Sequence, residues 1–175
     1  MGEAAGGFQP GGSRLPVVYN VAASPSGQSV LVLAGVDPKR FLVLEKGGSD
    51  FRPVFHKPLK ESRPWPTPLG FINDGGLAYY ETENGFGILD PKSPEQETNI
   101  PINGNLAALE PLSGGRLIAF VESGGSQAAL RVSTLAGTPV LTLPFEGHDV
   151  LLRRQGGTLL LGADQTLLTF EVRIQ

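Results

Sequence analysis

The stretch Ser24-Pro25-Ser26-Gly27-Gln28-Ser29-Val30-Leu31-Val32-Leu33 decides the predicted fold of this 175-residue chain. A Ser-Gly turn followed by an apolar run is typical of short strands joined by a tight hairpin, because glycine accepts the positive φ that such turns need. The arrangement recurs around Asp74-Gly75, Ser113-Gly114 and Gln155-Gly156. Repetition on this scale predicts an array of similar structural units.

The spacing of the four turn glycines is nearly regular. The successive steps are 48 residues from Gly27 to Gly75, 39 from Gly75 to Gly114 and 42 from Gly114 to Gly156. One blade of a β-propeller spans roughly 40 to 50 residues, so each unit has the length of a blade. The predicted strands lie at residues 18–21, 30–33, 41–44, 51–55, 69–72, 77–80, 86–89, 98–101, 106–109, 117–121, 130–133, 140–143, 150–152, 159–161 and 167–174.

Two of the hairpins resemble those of a known repeat family. Residues 24–33 resemble the SPDG-type hairpin of WD40-like and TolB-like β-propeller repeats, and residues 73–79 resemble it again. Leu89-Asp90 stands where such repeats often place a strand-ending Asp. No Gly-His or Trp-Asp pair marks the repeats, since the single Gly147-His148 does not recur. The resemblance implies a propeller fold and protein binding, and it carries over no catalytic residue.

We therefore predict an all-β fold: a small β-propeller-like array of about four antiparallel blades over residues 15–175, after a flexible Gly-rich tail at residues 1–14. The fourth unit ends after its third strand and lacks an outer strand. The segment Phe8 to Val17 is predicted to supply it and to close the ring. The alternatives are an open half-propeller completed by a partner or a second copy, and a twisted β-sandwich.

Composition excludes several classes of protein. Apolar residues make up 40% and charged residues 18%, which is typical of a globular domain. The net charge of −3 gives no general electrostatic basis for DNA binding. The absence of Cys excludes disulfides and thiolate metal sites. No signal peptide or membrane-spanning run is recognisable, so we expect a cytoplasmic protein, with peripheral membrane association left open.

A basic segment with interleaved aromatics is the predicted partner-binding surface. Residues 52–63 carry four cations against Glu61, a net charge of +3. Such a segment could engage an anionic protein, a lipid surface or single-stranded nucleic acid. The alternative is a solvated Pro-rich connector whose aromatics, Trp65 included, cover the sheet edge. The predicted contact residues are Phe51, Arg52, Phe55, Lys57, Lys60, Arg63 and Trp65.

No chemical motif rises above its structural alternative. The acidic stretch 81–97, with a net charge of −4, lacks the spacing of a calcium loop and is interpreted as a solvated face. His56 and His148 are too few for a metal site, and Gly47-Gly48 is interpreted as a simple turn. No Gly-x-Ser-x-Gly elbow occurs. We expect no cofactor, metal or catalytic residue.

The functional prediction is a non-catalytic protein-binding scaffold, or an accessory subunit of a larger assembly. A rigid β framework that presents variable loops and edges suits this role. The first alternative is a propeller that binds a small ligand or a glycan in a polar pocket with an aromatic platform. The second alternative is a hydrolase built on His56 or His148.

Overall fold

The protein is described by a computed structural model that covers residues 17–35, 39–59, 68–72, 76–124, 127–147 and 149–171. Within these ranges the chain forms fifteen β-strands and one short 3-10 turn, which confirms the predicted all-β fold. No helix in the described ranges is long and apolar enough to cross a membrane. The strands are β1 (Val18–Ala23), β2 (Ser29–Ala34), β3 (Arg40–Gly47), β4 (Asp50–Pro58), β5 (Leu69–Ile72), β6 (Leu77–Thr82), β7 (Gly85–Asp90), β8 (Ser93–Pro101), β9 (Asn105–Pro111), β10 (Leu117–Gly124), β11 (Gln127–Thr134), β12 (Pro139–Glu146), β13 (Val150–Gln155), β14 (Thr158–Ala163) and β15 (Thr166–Glu171).

The strands form four antiparallel meanders that are arranged as four blades of a β-propeller. The first three sheets run β1-β2-β3-β4, β5-β6-β7-β8 and β9-β10-β11-β12. The fourth has the three strands β13-β14-β15. Each sheet therefore corresponds to one of the four sequence repeats, and every pairing joins strands that are consecutive in the chain.

The turn glycines adopt the conformations that their sequence context predicts. Gly27 and Gly156 have φ values of 68° and 60°, in the left-handed region that favours glycine. Gly114 has φ 75° and lies in a short 3-10 turn, Ser113–Gly115, so the third repeat turns less tightly than a two-residue hairpin. Gly75, the turn glycine of the second repeat, lies outside the described residues.

Three hydrophobic cores hold successive sheets together, because alternate residues of a strand point to opposite faces of its sheet. On β6, Ala78 and Tyr80 face the first sheet, whereas Leu77 and Tyr79 face the third. The buried side chains between the first and second sheets are Leu31, Phe41, Val43, Ala78, Tyr80 and Leu89. Those between the second and third are Ile72, Phe86, Ile88, Ile100, Leu106, Leu109, Ile118 and Phe120. Those between the third and fourth are Leu112, Ala119, Val121, Ala128, Leu130, Val132, Leu152, Leu159 and Leu161.

The fourth sheet ends at β15 without an outer strand in the described part of the chain, as the sequence predicts. The three outer strands β4, β8 and β12 each contain two prolines, which have no N–H to offer an additional strand. Strand β15 contains none. Proline therefore occurs in the outer strands that end the first three sheets. It is absent from β15, the strand on which the predicted outer strand of the fourth sheet would pair.

The predicted closure by the N-terminal segment stays a prediction, since residues 8–16 lie outside the described residues. Val17, the last residue of that segment, is described. Its carbonyl oxygen accepts a hydrogen bond from the N–H of Gly35 at 2.9 Å, and Gly35 directly follows β2. Val17 therefore extends the pairing of the first sheet.

Candidate functional site

The predicted partner-binding surface centres on β4, the outer strand of the first sheet. Four of its seven residues are described, namely Phe51, Arg52, Phe55 and Lys57. Lys60, Arg63 and Trp65 lie outside the described residues. Phe51 is 42% exposed and Arg52 is also exposed. These two side chains are available to a partner.

Phe55 belongs mainly to the core between the first and second sheets. Its ring meets the edge of the Phe41 ring at a centroid distance of 6.2 Å. Phe41 in turn stacks on Tyr80, with ring centroids 4.3 Å apart and planes inclined by 7°. Phe55 is thus half-buried against these rings, and its aromatic surface stabilises the contact between the sheets.

Lys57 makes its contacts within the protein, although 39% of its side chain is exposed. Its Nζ donates a hydrogen bond to the Oη of Tyr80 at 2.9 Å and forms an ion pair with the Oε2 of Glu97 on β8. Burial is the main cause that raises the pKa of Tyr80, and the hydrogen bond and charge of Glu97 add to it. Lys57 therefore connects the outer strands of the first two sheets. Because Glu97 already neutralises its positive charge in part, Lys57 attracts an acidic partner less strongly than an unpaired cation would.

A β-bulge in β4 explains why Phe51 is exposed whereas Phe55, four residues later, packs against the core. The pairing with β3 shifts between Val43, opposite Phe55, and Leu44, opposite Pro53. The shift inserts Val54 as an extra residue, and Val54 is 50% exposed. Phe55 and Lys57 consequently share the face towards the second sheet, whereas Phe51 lies on the opposite face.

The acidic stretch 81–97, interpreted from the sequence as a solvated face, is solvated only in part. Glu83 and Glu95 are exposed, but Glu81 is buried and Glu97 pairs with Lys57. A crevice of about 370 Å³ lies beside this pair and is lined by Lys57, Pro58, Leu59, Thr82, Glu83, Asn84, Glu97 and Asn99. No group of three or more His, Cys, Asp or Glu side chains that could hold a metal ion occurs in the described ranges.

A second polar cluster lies in the third sheet, and sequence reasoning missed it. The Nη2 of Arg131 lies 2.6 Å from the Oε1 of Glu122, whose side chain is only 8% exposed. The N–H of Asn103 donates to the Oε2 of Glu122 at 3.1 Å. A crevice of about 480 Å³ beside the cluster is lined by Asn103, Glu122, Gly124, Gln127, Ala128, Ala129, Pro144, Phe145 and Glu146.

A third group of polar side chains joins the second, third and fourth sheets. Burial, followed by the charge of Glu110, raises the pKa of Tyr79 to about 12, and the charge of Arg153 opposes this. Burial likewise raises the pKa of Glu110, and Arg153 and Arg154 oppose that rise. The Tyr79 ring covers Gly70 on the paired strand, where any Cβ would overlap its hydroxyl group.

The residues of the two remaining sequence candidates take ordinary positions where they are described. His56 is exposed on β4, opposite Leu42 of β3. His148, the other histidine of the hydrolase alternative, lies outside the described residues. Gly47 ends β3, and Gly48 has φ 74° in the turn before β4. The Gly47-Gly48 pair therefore forms a hairpin turn.

Comparison with known proteins supports the fold. A sequence model of a family described as "beta-propeller protein" matches residues 1–175. An uncharacterized protein of Treponema pallidum (strain Nichols) is 22% identical over 166 residues, which is 94% of this chain and 44% of that protein. The chain thus spans less than half the length of this relative.

Solved propellers resemble the chain at the level of the fold. Hsv2 of Kluyveromyces lactis superposes with a TM-score of 0.66 at 16% identity, over 90% of this chain and 49% of that structure. The C-terminal WD40 domain of Sif2 superposes with a TM-score of 0.63 at 18% identity, over 89% of this chain and 43% of that structure. The predicted likeness to WD40-like propellers is confirmed.

Proposed function

From the premise that this chain belongs to the β-propeller proteins, we propose that it is a non-catalytic scaffold that binds another protein, as an accessory subunit of a larger assembly. The observation that supports this role best is the exposed surface of β4. Phe51 and Arg52 are consecutive exposed residues of β4 that point to opposite faces of the strand, and the pairing of β4 with β3 holds both in place. We name Phe51, Arg52 and Val54 the β4 surface.

The chemistry of the β4 surface suits side-chain recognition. Phe51 and Val54 expose 42% and 50% of their area, and Arg52 adds a cation. Aromatic residues and arginine are enriched among the residues that dominate binding energy at protein interfaces. Pro53 and Pro58 leave gaps in the N–H groups of the strand edge, so a partner gains little by adding a strand here.

The partner that fits this surface carries acidic side chains around an apolar contact. Arg52 is exposed, and the predicted residues Lys60, Arg63 and Trp65 follow it along the chain. Lys57, in contrast, already has a carboxylate partner in Glu97. We therefore assign recognition to Phe51 and Arg52, and we retain Lys60, Arg63 and Trp65 as predicted contributors.

The proposal is tested by quantitative capture of a partner. The tagged chain, the double variant Phe51→Ala/Arg52→Glu and the control Val140→Ala/Leu141→Ala are used as baits, and captured proteins are quantified by mass spectrometry. The control residues are apolar and expose 59% and 45% of their area, and they lie on β12. We expect one protein set to fall at least tenfold with the β4 variant only. Equal recovery by all three baits would exclude the β4 surface.

Lys57 is a poor position for this test. Charge reversal at Lys57 would place two carboxylates together beside Tyr80 and would weaken the contact between the first two sheets. Lost capture could then reflect lost stability. A separate variant, Lys60→Glu/Arg63→Glu/Trp65→Ala, tests the remaining predicted residues and leaves Lys57 and Glu97 unchanged.

A small polar ligand is the second candidate, favoured by the crevice of the third sheet. Gln127 and Glu146 are exposed residues of its lining, and the half-buried Phe145 adds an aromatic ring. This combination of convergent polar groups and an aromatic ring is typical of ligand pockets. A thermal-shift screen of sugars and amines tests it. Stabilisation that disappears in Gln127→Ala/Glu146→Ala would support this function, and no stabilisation by any compound would exclude these ligand classes.

A further inference from the structure

Exposed apolar side chains are concentrated at the two ends of the row of sheets. Eleven large hydrophobic residues expose more than a third of their area in the described ranges, and nine of them belong to the first and fourth sheets or directly precede them. The other two, Val140 and Leu141, lie on β12. The nine are Val17, Val18, Tyr19, Val21, Phe51, Val54, Leu151, Leu167 and Leu168.

The first sheet has an apolar face that points away from the second sheet. Residues opposite each other in an antiparallel pair share a face, and Val21 lies opposite Val32, which lies opposite Leu42. Their chain neighbours Leu31 and Phe41 are fully buried against the second sheet. Val21 is 54% exposed, and Val32 and Leu42 are only half-buried. We call this the free face of the first sheet.

The fourth sheet has a matching face at the other end. Leu151 lies opposite Gly162, which lies opposite Leu167, so these residues share a face. Leu152 and Leu161 point the other way, into the core shared with the third sheet. Leu151 is 57% exposed and Leu167 is 66% exposed. We call this the free face of the fourth sheet.

The interior of the chain shows what covers such faces. Each of the three cores forms where the apolar face of one sheet meets that of the next. In the described part of the chain, no hydrophobic cluster joins the fourth sheet to the first. Each free face therefore exposes apolar side chains at the position where, between the other sheets, the face of a neighbouring sheet packs.

We propose that a second copy of this chain covers both free faces. The fourth sheet of each copy would pack on the first sheet of the other, which gives a ring of eight sheets with two identical contacts. Propellers have about four to eight blades, so eight sheets form a ring of ordinary size. The solved propellers that resemble this chain are about twice as long, and four sheets match slightly less than half of each.

The ring also has the symmetry expected of a homodimer. A two-fold axis relates the copies, and closure uses up every free face, so association stops at two chains. This proposal does not rest on the proposed function. Phe51 lies opposite Lys46 and therefore on the free face of the first sheet, where a second copy and a different protein would compete for it. The test therefore uses Val21 and Leu151 on the inner strands β1 and β13, which are not part of the β4 surface.

The test is the mass of the 175-residue chain in solution, measured by light scattering after gel filtration over a range of concentrations. We expect twice the 18.5 kDa of one chain. Val21→Asp and Leu151→Asp should each halve the mass, because one substitution alters both contacts of the ring. Val140→Asp, at a comparably exposed position on β12, should leave the mass unchanged. A wild-type monomer at every concentration would overturn the proposal.

A mixture of the two variants distinguishes this ring from other dimers. When Val21→Asp and Leu151→Asp chains are combined, one contact of the mixed ring holds both substitutions and the other holds neither. At high concentration the mixture should therefore regain the mass of two chains. Continued dimerisation of either variant alone, or no regained mass in the mixture, would overturn the pairing of the fourth sheet with the first.

Folding of each variant is checked separately. Far-ultraviolet circular dichroism and a cooperative thermal transition must match those of the wild type. If Val21→Asp does not fold, Val18→Asp alters the same strand, and Leu167→Asp serves likewise for the fourth sheet, since both residues are more than half exposed. The same twofold loss of mass is expected from these variants.

Discussion

The Nζ of Lys57 lies 2.9 Å from the Oη of Tyr80, and this contact joins the outer strand of the first sheet to the core of the second. Lys57 also pairs with Glu97, on the outer strand of the second sheet. A residue that the sequence assigns to partner binding therefore contributes to the contact between two blades. The distinction matters because substitutions of such a residue change stability as well as binding.

Lys57→Met is expected to lower the free energy of unfolding by about 1 kcal/mol, since a partly exposed ion pair is weak but its loss leaves the Tyr80–Glu97 contact without a cation. Urea denaturation measures this. Lys92→Met, at an exposed position of the β7–β8 turn, is the matched control and should change little. A Lys57→Met chain as stable as the control would show that the contact carries no net stability.

Arg131→Met should cost more, about 3 kcal/mol, because the side chain of Glu122 is only 8% exposed and would keep a charge without a cation. The double variant Arg131→Met/Glu122→Gln should recover part of the loss, since it removes that charge. Urea denaturation of the two single variants and the double variant measures their coupling. Additive effects would contradict a direct interaction between the two side chains.

The raised pKa of Tyr79 predicts that the protein loses stability in alkaline solution. Burial, then the charge of Glu110, raises its pKa to about 12, against about 10 in the unfolded chain. The folded state therefore holds the phenolic proton more tightly. This contribution is complete below pH 10 and is lost as the pH rises towards 12. Tyr79→Phe should lose less stability than the wild type over that interval, by up to about 2 to 3 kcal/mol.

The comparison requires the free energy of unfolding at several values between pH 8 and pH 12. Tyr19→Phe controls for the removal of a hydroxyl group from a tyrosine. Parallel pH curves for Tyr79→Phe and the wild type would contradict the assignment.

Two adjacent glycines test the turn that begins the hairpin of the fourth repeat. Gly156 has φ 60°, so Gly156→Ala should cost about 1 kcal/mol although a Cβ would meet no atom within 4 Å. Gly157 has equally open surroundings and no positive φ, so Gly157→Ala should be neutral or slightly stabilising. Thermal unfolding measures both. Equal effects at the two positions would contradict the conformational cause.

The strands are predictable from sequence because their signals are local. Strand β5 occupies residues 69–72 as predicted, since a polar turn and an apolar run suffice to place it. Strand β8 begins at Ser93, five residues before the predicted start, because the polar residues that precede Thr98 give no apolar signal. Pairing with β7 extends this strand, and pairing is a property of two segments.

The sites are harder to predict because they depend on register. Arg131 lies opposite Phe120, and Glu122 is two residues further along the same face, so the ion pair is a diagonal contact between two strands. Nothing in either strand alone indicates it. The inward direction of Phe55 and Lys57 depends on the bulge beside Val43 and Leu44, which reverses the alternation of exposed and buried residues on β4. The sequence shows that aromatic and basic residues are interleaved in β4, but it does not show which of them point towards the second sheet.

The measurement that tests the central claim most directly is the affinity of the β4 surface for a captured partner. The partner is purified and titrated by calorimetry into the wild type, Phe51→Ala/Arg52→Glu and Val140→Ala/Leu141→Ala. We predict a dissociation constant at least tenfold higher for the β4 variant, with unchanged stability, and a wild-type value for the β12 variant. Equal affinity of all three chains would contradict the assignment of protein binding to Phe51 and Arg52.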